Sequence, residues 1–400
     1  MRVTFLGFTV STEAMNALLR SDAAMPIQTH VFAWNLVHAL HAGGATVQLL
    51  SCDPVSSYPR NPRLIFWGGN FAANGVGGRR LGFINLLGLK HVTRFIACLR
   101  GGAKELRRWR PDVLLIHGVH SPYLWYGAIA QQMRGIKVVV VVTDPPGVVL
   151  ASDSLIARGL KRLDAVLVRI ALSRVDGVVA LAARLASDFA PGVPSIILEG
   201  FSSAPSHRPL AAAGSHSGVR LLYAGDLSSS SGVDRLVSAF RSIAIRDARL
   251  LTYGRGQLAE WIDAQGDDDS RIEPVEFADR EFLLGRYAEA DVLVQPRRPT
   301  EEFAPYSFPS KLMEYMASGT PVLSTRLPSI PAEYEPFVYW IEDNSIDGIR
   351  TALEDVLNVS IDERRRKGRA AAEFIVASRS PAAQGVRIRA FLDQVCRPAP

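Results

Sequence analysis

The 400-residue sequence lacks the features of a secreted, membrane-spanning or metal-binding protein. Its three cysteines, Cys52, Cys98 and Cys396, are far apart and have neither metal-site nor disulfide-framework spacing, which favours a reduced, cytoplasmic protein. It has no run of about eighteen apolar residues, so no membrane span is predicted. The apolar start before Glu13 lacks a signal-peptide cleavage pattern and is predicted to be a strand.

The overall composition is typical of a globular chain. Hydrophobic residues make up 48% and charged residues 21%, which excludes a disordered protein. The length predicts two domains of roughly 150 to 200 residues each. A net charge of +6 leaves nucleic acid, an anionic membrane and an anionic substrate as possible partners. Nucleic acid is disfavoured because the basic stretches lack interleaved aromatic residues on which bases would stack.

Strand and helix patterns alternate along the sequence, which predicts an α/β protein with doubly wound domains. A first domain is predicted at residues 1–200 and a second at 219–375. The segment 201–218 is rich in Ser, Ala and Pro and is predicted to be a linker, and 376–400 a helical tail. Residues 61–78, rich in Gly, Asn and Pro, are predicted to form an irregular loop.

One strand, loop, helix, strand unit in the second half concentrates charge where the loop meets the helix. Ser310 is predicted to cap a helix that begins near Lys311. A helix N-terminus has unpaired N–H groups and the positive end of the dipole, so it favours an anion. Arg297 and Arg298 add cations, and Glu314, one turn further on, is able to accept hydrogen bonds from hydroxyls. A diphosphate next to a ribose needs this combination.

This unit reads PRRPTEEFAPYSFPSKLMEYMASGTPV. It resembles the donor-sugar site of the retaining, GT-B-fold glycosyltransferases of the GT4 type. The resemblance is closest to the bacterial polysaccharide-assembly branch, with the pattern PR…SFPSKxxEYxxxGxPV. It implies two facing Rossmann-like doubly wound domains, with the nucleotide-sugar on the second, the acceptor on the first, and a C-terminal helix that crosses back to the first.

The resemblance also assigns roles to residues. The expected catalytic residues are Asp144, Lys311 and Arg297. The expected donor-binding residues are Gly225, Asp226, Arg255, Phe277, Arg298, Glu302, Ser307, Phe308, Pro309, Ser310 and Glu314. Many family members carry a glutamate where this sequence has Tyr306, so Glu301 and Glu302 are the candidates to replace it.

A second departure from the family lies in the glycine-serine loop after residue 224. Asp226 and Ser231 stand where many relatives carry arginine and lysine against the diphosphate. The neutralising charge is therefore expected from Arg297, Arg298, Lys311 or Arg255.

Polar residues of the first domain are expected on the acceptor side. His117 ends a predicted strand and His120 follows it, and the carboxyl ends of strands border the ligand crevice in doubly wound sheets. A structural role for either histidine stays open. The resemblance adds Gln28 and His30, and it places Asp144 after the valine strand as a polar residue of the catalytic site.

Two basic amphipathic segments, residues 89–109 and 158–174, have two interpretations. They are either helices that lie on an anionic bilayer, at the inner face of the membrane, or helices with a solvated charged face.

The expected function is transfer of a sugar from a UDP- or GDP-linked donor to a hydroxyl of a glycan or lipid-linked acceptor, in cell-surface polysaccharide or glycolipid synthesis. No D-x-D motif is expected at a ligand cleft, so no metal and no further cofactor are expected. A nucleotide-sugar 2-epimerase of the same fold and a non-catalytic relative are the alternatives.

Overall fold

The computed structural model describes residues 1–20, 27–148, 155–202 and 218–397. The chain divides into two compact units, one made of Met1–Phe201 with Pro381–Pro400 and the other of Ser202–Ser380. Each unit has a mainly parallel sheet flanked by helices, so the predicted α/β class with two Rossmann-like domains is confirmed. Most of the predicted linker, 201–218, lies outside the described residues.

The first unit is built on a parallel sheet. Its strands are β1 (Arg2–Gly7), β2 (Thr46–Ser51), β3 (Ile65–Phe66), β4 (Gly69–Ala73), β5 (Val76–Arg80), β6 (Phe83–Ile84), β7 (Val113–His117), β8 (Lys137–Val142), β9 (Gly177–Ala180) and β10 (Ser195–Ile197). In the described chain the sheet order is β10-β9-β8-β7-β1-β2-β5-β4, and β3 pairs separately with β6. The valines of β8 are buried on both faces of the sheet, as its central position requires.

Helices cover this sheet. They are α1 (Thr12–Leu19), α2 (Ile27–Ala42), α3 (Leu89–Ala97), α4 (Ala103–Trp109), α5 (Ser121–Arg134), α6 (Leu155–Leu172) and α7 (Ala183–Phe189). The segment predicted at 89–109 is divided by a π-helical turn, Cys98–Gly102, between α3 and α4. At Gly102 a Cβ atom would lie 3.0 Å from the hydroxyl of Tyr126, so the chain approaches α5 closely there.

The prediction of an irregular loop at 61–78 is wrong. This segment contains β3, β4 and part of β5, and β5 extends the main sheet beside β2. Asn74 and Gly75 have positive φ angles of 48° and 79° and join β4 to β5 as a two-residue hairpin turn. A Cβ at Gly78 would lie 2.3 Å from the carbonyl oxygen of Leu49, so glycine allows this pairing.

The second unit has its own parallel sheet. Its strands are β11 (Val219–Asp226), β12 (Ala248–Arg255), β13 (Val292–Gln295), β14 (Val322–Thr325) and β15 (Tyr339–Ile341). Its helices are α8 (Val233–Ser242), α9 (Ala259–Asp268), α10 (Arg280–Glu289), α11 (Ser310–Ser318), α12 (Ile346–Asn358) and α13 (Ile361–Arg379). The sheet order is β12-β11-β13-β14-β15. Strand order reverses between β11 and β13, and ligand crevices open at such a switch point.

The chain then returns to the first unit as α14 (Pro381–Cys396), which packs on α2. Ile388, Phe391 and Leu392 of α14 belong to the apolar core of the first unit. The change of unit falls at Ser380, close to the predicted start of the tail at residue 376. Ser202 N–H donates to the Arg379 carbonyl at 2.9 Å, so the chain enters and leaves the second unit at adjacent points.

The contact between α14 and α2 predicts an unusual response to a glycine substitution. Gly385 lies within α14, and its Cβ would lie 2.3 Å from the Ala39 carbonyl oxygen. We expect Gly385→Ala to lower the free energy of unfolding by about 1 to 3 kcal/mol through overpacking. Gly159, inside α6, has open space around it, so Gly159→Ala should raise that free energy by up to about 1 kcal/mol.

Urea denaturation of the two variants measures both effects. Equal shifts in the same direction for Gly385→Ala and Gly159→Ala would contradict close packing of α14 against α2.

Candidate functional site

At the switch point of the second unit, the side chain of one tyrosine hydrogen-bonds the backbone where two strands separate. β11 pairs with β12 as far as Asp226, but its pairing with β13 ends at Leu222. Beyond that point Ala224 N–H donates to the Tyr315 hydroxyl at 2.8 Å, and this hydroxyl donates to the Ala224 carbonyl at 3.0 Å. Tyr315 therefore replaces the missing ladder bonds and fixes α11 beside the open end of the sheet.

Glycines allow close contacts at the carboxyl ends of β11, β12 and β13. Gly232, in the loop after β11, has a φ of +76°, and a Cβ there would lie 2.1 Å from the carbonyl oxygen of Pro296, which follows β13. Gly254 of β12 is paired with Gly225 of β11, and a Cβ at Gly254 would lie 1.9 Å from the Gly225 carbonyl oxygen. Side chains at Gly232 and Gly254 would separate these segments, so the crevice requires glycine.

Arg297 is held across the loop between β13 and α11. Its Nη1 atom lies 3.3 Å from both the carbonyl oxygen and the Oγ of Ser307, and its backbone N–H donates to Gln295 Oε1 at 3.0 Å. Burial lowers the pKa of the Arg297 guanidinium, while the Glu301 carboxylate opposes that shift. The side chain is positioned near the carboxyl end of β13 and remains cationic at neutral pH.

Arg298 is paired with a residue that the sequence did not reveal. Its Nη2 atom lies 2.5 Å from Asp234 Oδ2, at the start of α8. Asp234 Oδ1 and Arg298 Nε are buried without a hydrogen-bond partner among the residues that the structure describes. Asn344, also not identified from the sequence, donates to the Pro296 carbonyl at 3.2 Å. Both residues lie too far along the chain from Arg298 for a local pattern to reveal them.

Lys311 and Glu314 form an ion pair in the first turns of α11. The Lys311 Nζ lies 2.8 Å from Glu314 Oε2 and 3.4 Å from the Tyr287 hydroxyl. Arg280 Nε lies 3.8 Å from the other oxygen of Glu314. A cation and a carboxylate are thus presented side by side, both about one-third exposed.

The expected Ser310 cap is wrong, because α11 begins at Ser310 and its N-cap is Pro309, without a side-chain hydrogen bond. Proline fixes an extended entry to the helix and has no N–H to satisfy. The backbone N–H groups of the first turn lack a side-chain cap, as an anion site requires.

The other predicted donor residues differ in their exposure and contacts. Phe308 is buried and packs on Tyr334 with ring centroids 5.4 Å apart, whereas Glu302 is exposed. After β12, the Arg255 guanidinium carbon lies 3.5 Å from the ring centroid of Phe277, whose side chain is 64% exposed. This stacked pair presents a flat, cationic surface to solvent. Asp226, at the end of β11, accepts from the Tyr223 hydroxyl through its backbone carbonyl at 2.7 Å.

Of the two predicted acceptor-side histidines at the end of β7, His117 is buried and His120 is half-buried. His117 stacks on Phe32 with ring centroids 5.7 Å apart, and burial lowers its pKa to about 4. His120 lies against Phe8 and Tyr123, and burial lowers its pKa as well. The Nε2 atoms of both have no hydrogen-bond partner in the described structure. Both rings are therefore neutral at pH 7.

The remaining predicted residues of the first unit differ in accessibility. His30 of α2 is buried, and burial lowers its pKa, whereas Gln28 of the same helix is exposed. Asp144 follows β8 and is exposed. His117 and Asp144 both follow strands at the carboxyl edge of this sheet.

Two family models match the chain. The model described as "Glycosyl transferase 4-like domain" matches residues 29–195, and "Glycosyl transferases group 1" matches 218–358, so together they cover more than half of it. The chain is a glycosyltransferase. No curated protein is significantly similar to it in sequence.

Solved structures place the glycosyltransferase in the GT-B fold. Sucrose-phosphate synthase from Thermosynechococcus elongatus has 15% identity and a TM-score of 0.65, with 99% of each chain covered. The lipopolysaccharide outer core galactosyltransferase WaaB has 13% identity and a TM-score of 0.63, covering 98% of this chain and 100% of its own. Anabaena HepE in complex with UDP has 14% identity and a TM-score of 0.58, with 98% of each chain covered.

No helix among the described residues of the glycosyltransferase has the length and apolar character needed to cross a bilayer. No group of three or more His, Cys, Asp or Glu side chains in the same residues is arranged to hold a metal ion.

Burial of His117 predicts a pH dependence of stability. Its pKa is about 4 in the folded protein and near 6.5 when exposed, so between these values only the unfolded chain takes up the proton. The free energy of unfolding should therefore fall as the pH drops from about 6.5 to about 4, by up to about 3 kcal/mol from this residue.

Urea denaturation at pH 7 and pH 4.5 measures this change. We expect His117→Asn to lose part of the pH dependence, while His38→Asn, at an exposed position of α2, serves as the matched control. If His117→Asn shows the same pH dependence as the parent protein, His117 is not buried in its neutral form.

Proposed function

We propose that the glycosyltransferase moves a sugar from a UDP- or GDP-linked donor to a hydroxyl of a glycan or lipid-linked acceptor. The reaction belongs to the GT4-type branch that assembles bacterial surface polysaccharide or glycolipid. It retains the anomeric configuration of the donor and uses neither a metal nor another cofactor. The enzyme works in the cytoplasm, in peripheral contact with the anionic inner face of the membrane.

The observation that carries this proposal is the cationic environment of the α11 N-terminus at the switch point. Arg297 spans the loop before the helix, and Lys311 lies in its first turn. Together with the uncapped N–H groups, these two cations would neutralise the negative charge of a diphosphate and donate hydrogen bonds to its oxygens. Charge on the departing diphosphate is the main electrostatic demand of glycosyl transfer, so Lys311 and Arg297 are assigned to catalysis.

The neighbouring groups are assigned to the rest of the donor. The Arg255–Phe277 stack, at the end of β12, is assigned to the nucleotide base, and Glu314 to the ribose hydroxyls. The remaining donor assignments are Gly225, Asp226, Arg298, Glu302, Ser307, Phe308, Pro309 and Ser310. Glu302, which is exposed, is assigned to the donor sugar, the role of the glutamate that Tyr306 replaces.

The acceptor is assigned to the first unit. Asp144, exposed after β8, is the polar residue assigned to the reacting hydroxyl. Gln28 is exposed and available for contact, His30 and His117 are buried, and His120 is half-buried, so the three histidines shape the site as neutral groups.

The direct test is incubation with UDP- and GDP-sugars, with and without acceptor glycans. Release of nucleoside diphosphate together with a glycosylated product, in the presence of a chelator, supports the proposal. Isomerisation of a nucleotide-sugar without acceptor would show a 2-epimerase instead. Absence of any turnover despite nucleoside diphosphate binding would show a non-catalytic relative.

Lys311→Ala should weaken the binding of nucleoside diphosphate. Loss of a charge-assisted hydrogen bond of about 1.5–3 kcal/mol corresponds to roughly ten- to a hundred-fold in affinity. Calorimetric titration with UDP and GDP measures it. Arg249→Ala, which removes a cation from the opposite end of β12, should bind normally. Unchanged affinity of Lys311→Ala would place the diphosphate elsewhere.

Glu314→Gln should affect recognition of the ribose more than that of the phosphates. The variant should bind a ribonucleotide more weakly, and its discrimination against the 2′-deoxyribonucleotide should shrink, because the lost bond reads the hydroxyl. Glu354→Gln, in α12 on the other face of the sheet, is the control. If Glu314 only stabilises the unit through Lys311 and Arg280, the variant will melt earlier with an unchanged ribose-to-deoxyribose ratio.

A further inference from the structure

Helix α3 is oriented with its charged residues inward. Lys90 and Arg94 are 6% and 4% exposed, so these two basic residues of 89–109 belong to neither a solvated nor a membrane-facing charged surface. The Lys90 ammonium donates to the Val55 carbonyl, and Arg94 Nη2 donates to the Asp53 carbonyl at 3.0 Å. The Arg94 guanidinium also lies over the Phe83 ring, 4.2 Å from its centroid. These contacts fix the rotation of the helix.

The opposite face of α3 is apolar and exposed. Its residues are between 38% and 53% exposed and follow one another at intervals of three, four and three: Leu89, Val92, Ile96 and Leu99. Helix α6 repeats this spacing with residues that are between 36% and 58% exposed: Leu160, Leu163, Leu167 and Ile170. Such intervals place each set on one side of its helix, so the apolar residues form two continuous stripes.

The two stripes belong to one surface. Helix α5 packs against both α3 and α6. The Asp164 carboxylate of α6 is close enough to the His91 imidazole of α3 to raise its pKa, against the larger lowering caused by burial. The β3–β6 pair lies on the other side of α3, where Ile84 N–H donates to Thr93 Oγ1 at 3.1 Å. Next to β3, Trp67 is 72% exposed. We call the two stripes together with Trp67 the apolar face.

The charges around the apolar face are almost all positive. Apart from the inward Lys90 and Arg94, residues 86–110 contain five Lys or Arg and 155–174 contain five, against two acidic residues, Glu105 and Asp164. Glu105 is only 4% exposed. Two copies of this surface would bring like charges together, which disfavours self-association. An apolar surface with a basic surround complements the acyl boundary and the phosphates of an anionic bilayer.

We propose that the apolar face inserts into the surface of an anionic bilayer, with the stripes of α3 and α6 at the acyl boundary and Trp67 at the interface. The attachment is therefore chiefly hydrophobic, and the inward contacts of Lys90 and Arg94 are what turn the stripe of α3 outward. This inference deepens the proposed function, because a lipid-linked acceptor would be met at the same membrane.

Sedimentation with vesicles of phosphatidylcholine alone, or mixed with phosphatidylglycerol, tests the proposal at low and high salt. The apolar variant is Val92→Ser with Leu163→Ser, and the charge variant is Arg100→Gln with Arg162→Gln. Val386→Ser, at a 67% exposed position of α14, is the matched control. We expect a roughly hundred-fold loss of binding to mixed vesicles in the apolar variant, a smaller, salt-sensitive loss in the charge variant, and none in the control.

Trp67 supplies an independent signal. Tryptophan emission should shift to the blue when mixed vesicles are added, and Trp67→Phe should remove most of the shift. If the apolar variant still binds mixed vesicles and high salt abolishes that binding, the contact is electrostatic alone and insertion is overturned. If the parent protein does not bind vesicles but sediments as a dimer, and the apolar variant sediments as a monomer, the apolar face is an interface between copies of the chain. Calorimetric binding of nucleoside diphosphate to every variant separates failure of this proposal from failure of the donor site.

Discussion

The proposed donor site of this glycosyltransferase depends on how the parallel sheet of its second unit ends. Strands β11 and β13 part after Leu222, and parting exposes backbone groups that must still be hydrogen-bonded. The Tyr315 hydroxyl satisfies both the N–H and the carbonyl of Ala224, and it comes from the helix whose N-terminus lies at the crevice. One buried side chain therefore both allows the strands to separate and sets the position of the first turn of α11, including Lys311.

The part of this site that is contiguous in sequence could be predicted. The strand, the loop with its arginines and the helix with Lys311 and Glu314 are consecutive, so their spacing alone indicates that they share one end of the sheet. Asp234 and Asn344 could not be found in this way, because each reaches the loop after β13 from a distant part of the chain. Their roles depend on the sheet order, because α8 follows β11, the strand next to β13, and Asn344 follows β15, which lies beyond β14.

The same limit applies to the first unit. The alternation of strands and helices was enough to predict its fold class. The Gly-rich composition of residues 61–78 led to a wrong prediction of a loop, because Gly78 is needed there for the close pairing of β5 with β2. A basic amphipathic pattern also does not predict which side of a helix packs against the rest of its domain. Lys90 and Arg94 are turned inward because the carbonyl groups of Val55 and Asp53, in the loop after β2, accept their hydrogen bonds, and no periodicity in α3 encodes that loop.

The second unit is inserted in sequence between two parts of the first, and the hydrogen bond from Ser202 N–H to the Arg379 carbonyl joins the points where the chain enters and leaves it. This arrangement sets an order for folding during synthesis. Helix α2 packs on the sheet of the first unit, but it also packs on α14, which is made after the whole of the second unit. The second unit is continuous and is complete before then. It can therefore fold while the first unit still exposes the apolar side chains that α14 covers, a condition that favours aggregation of a nascent chain.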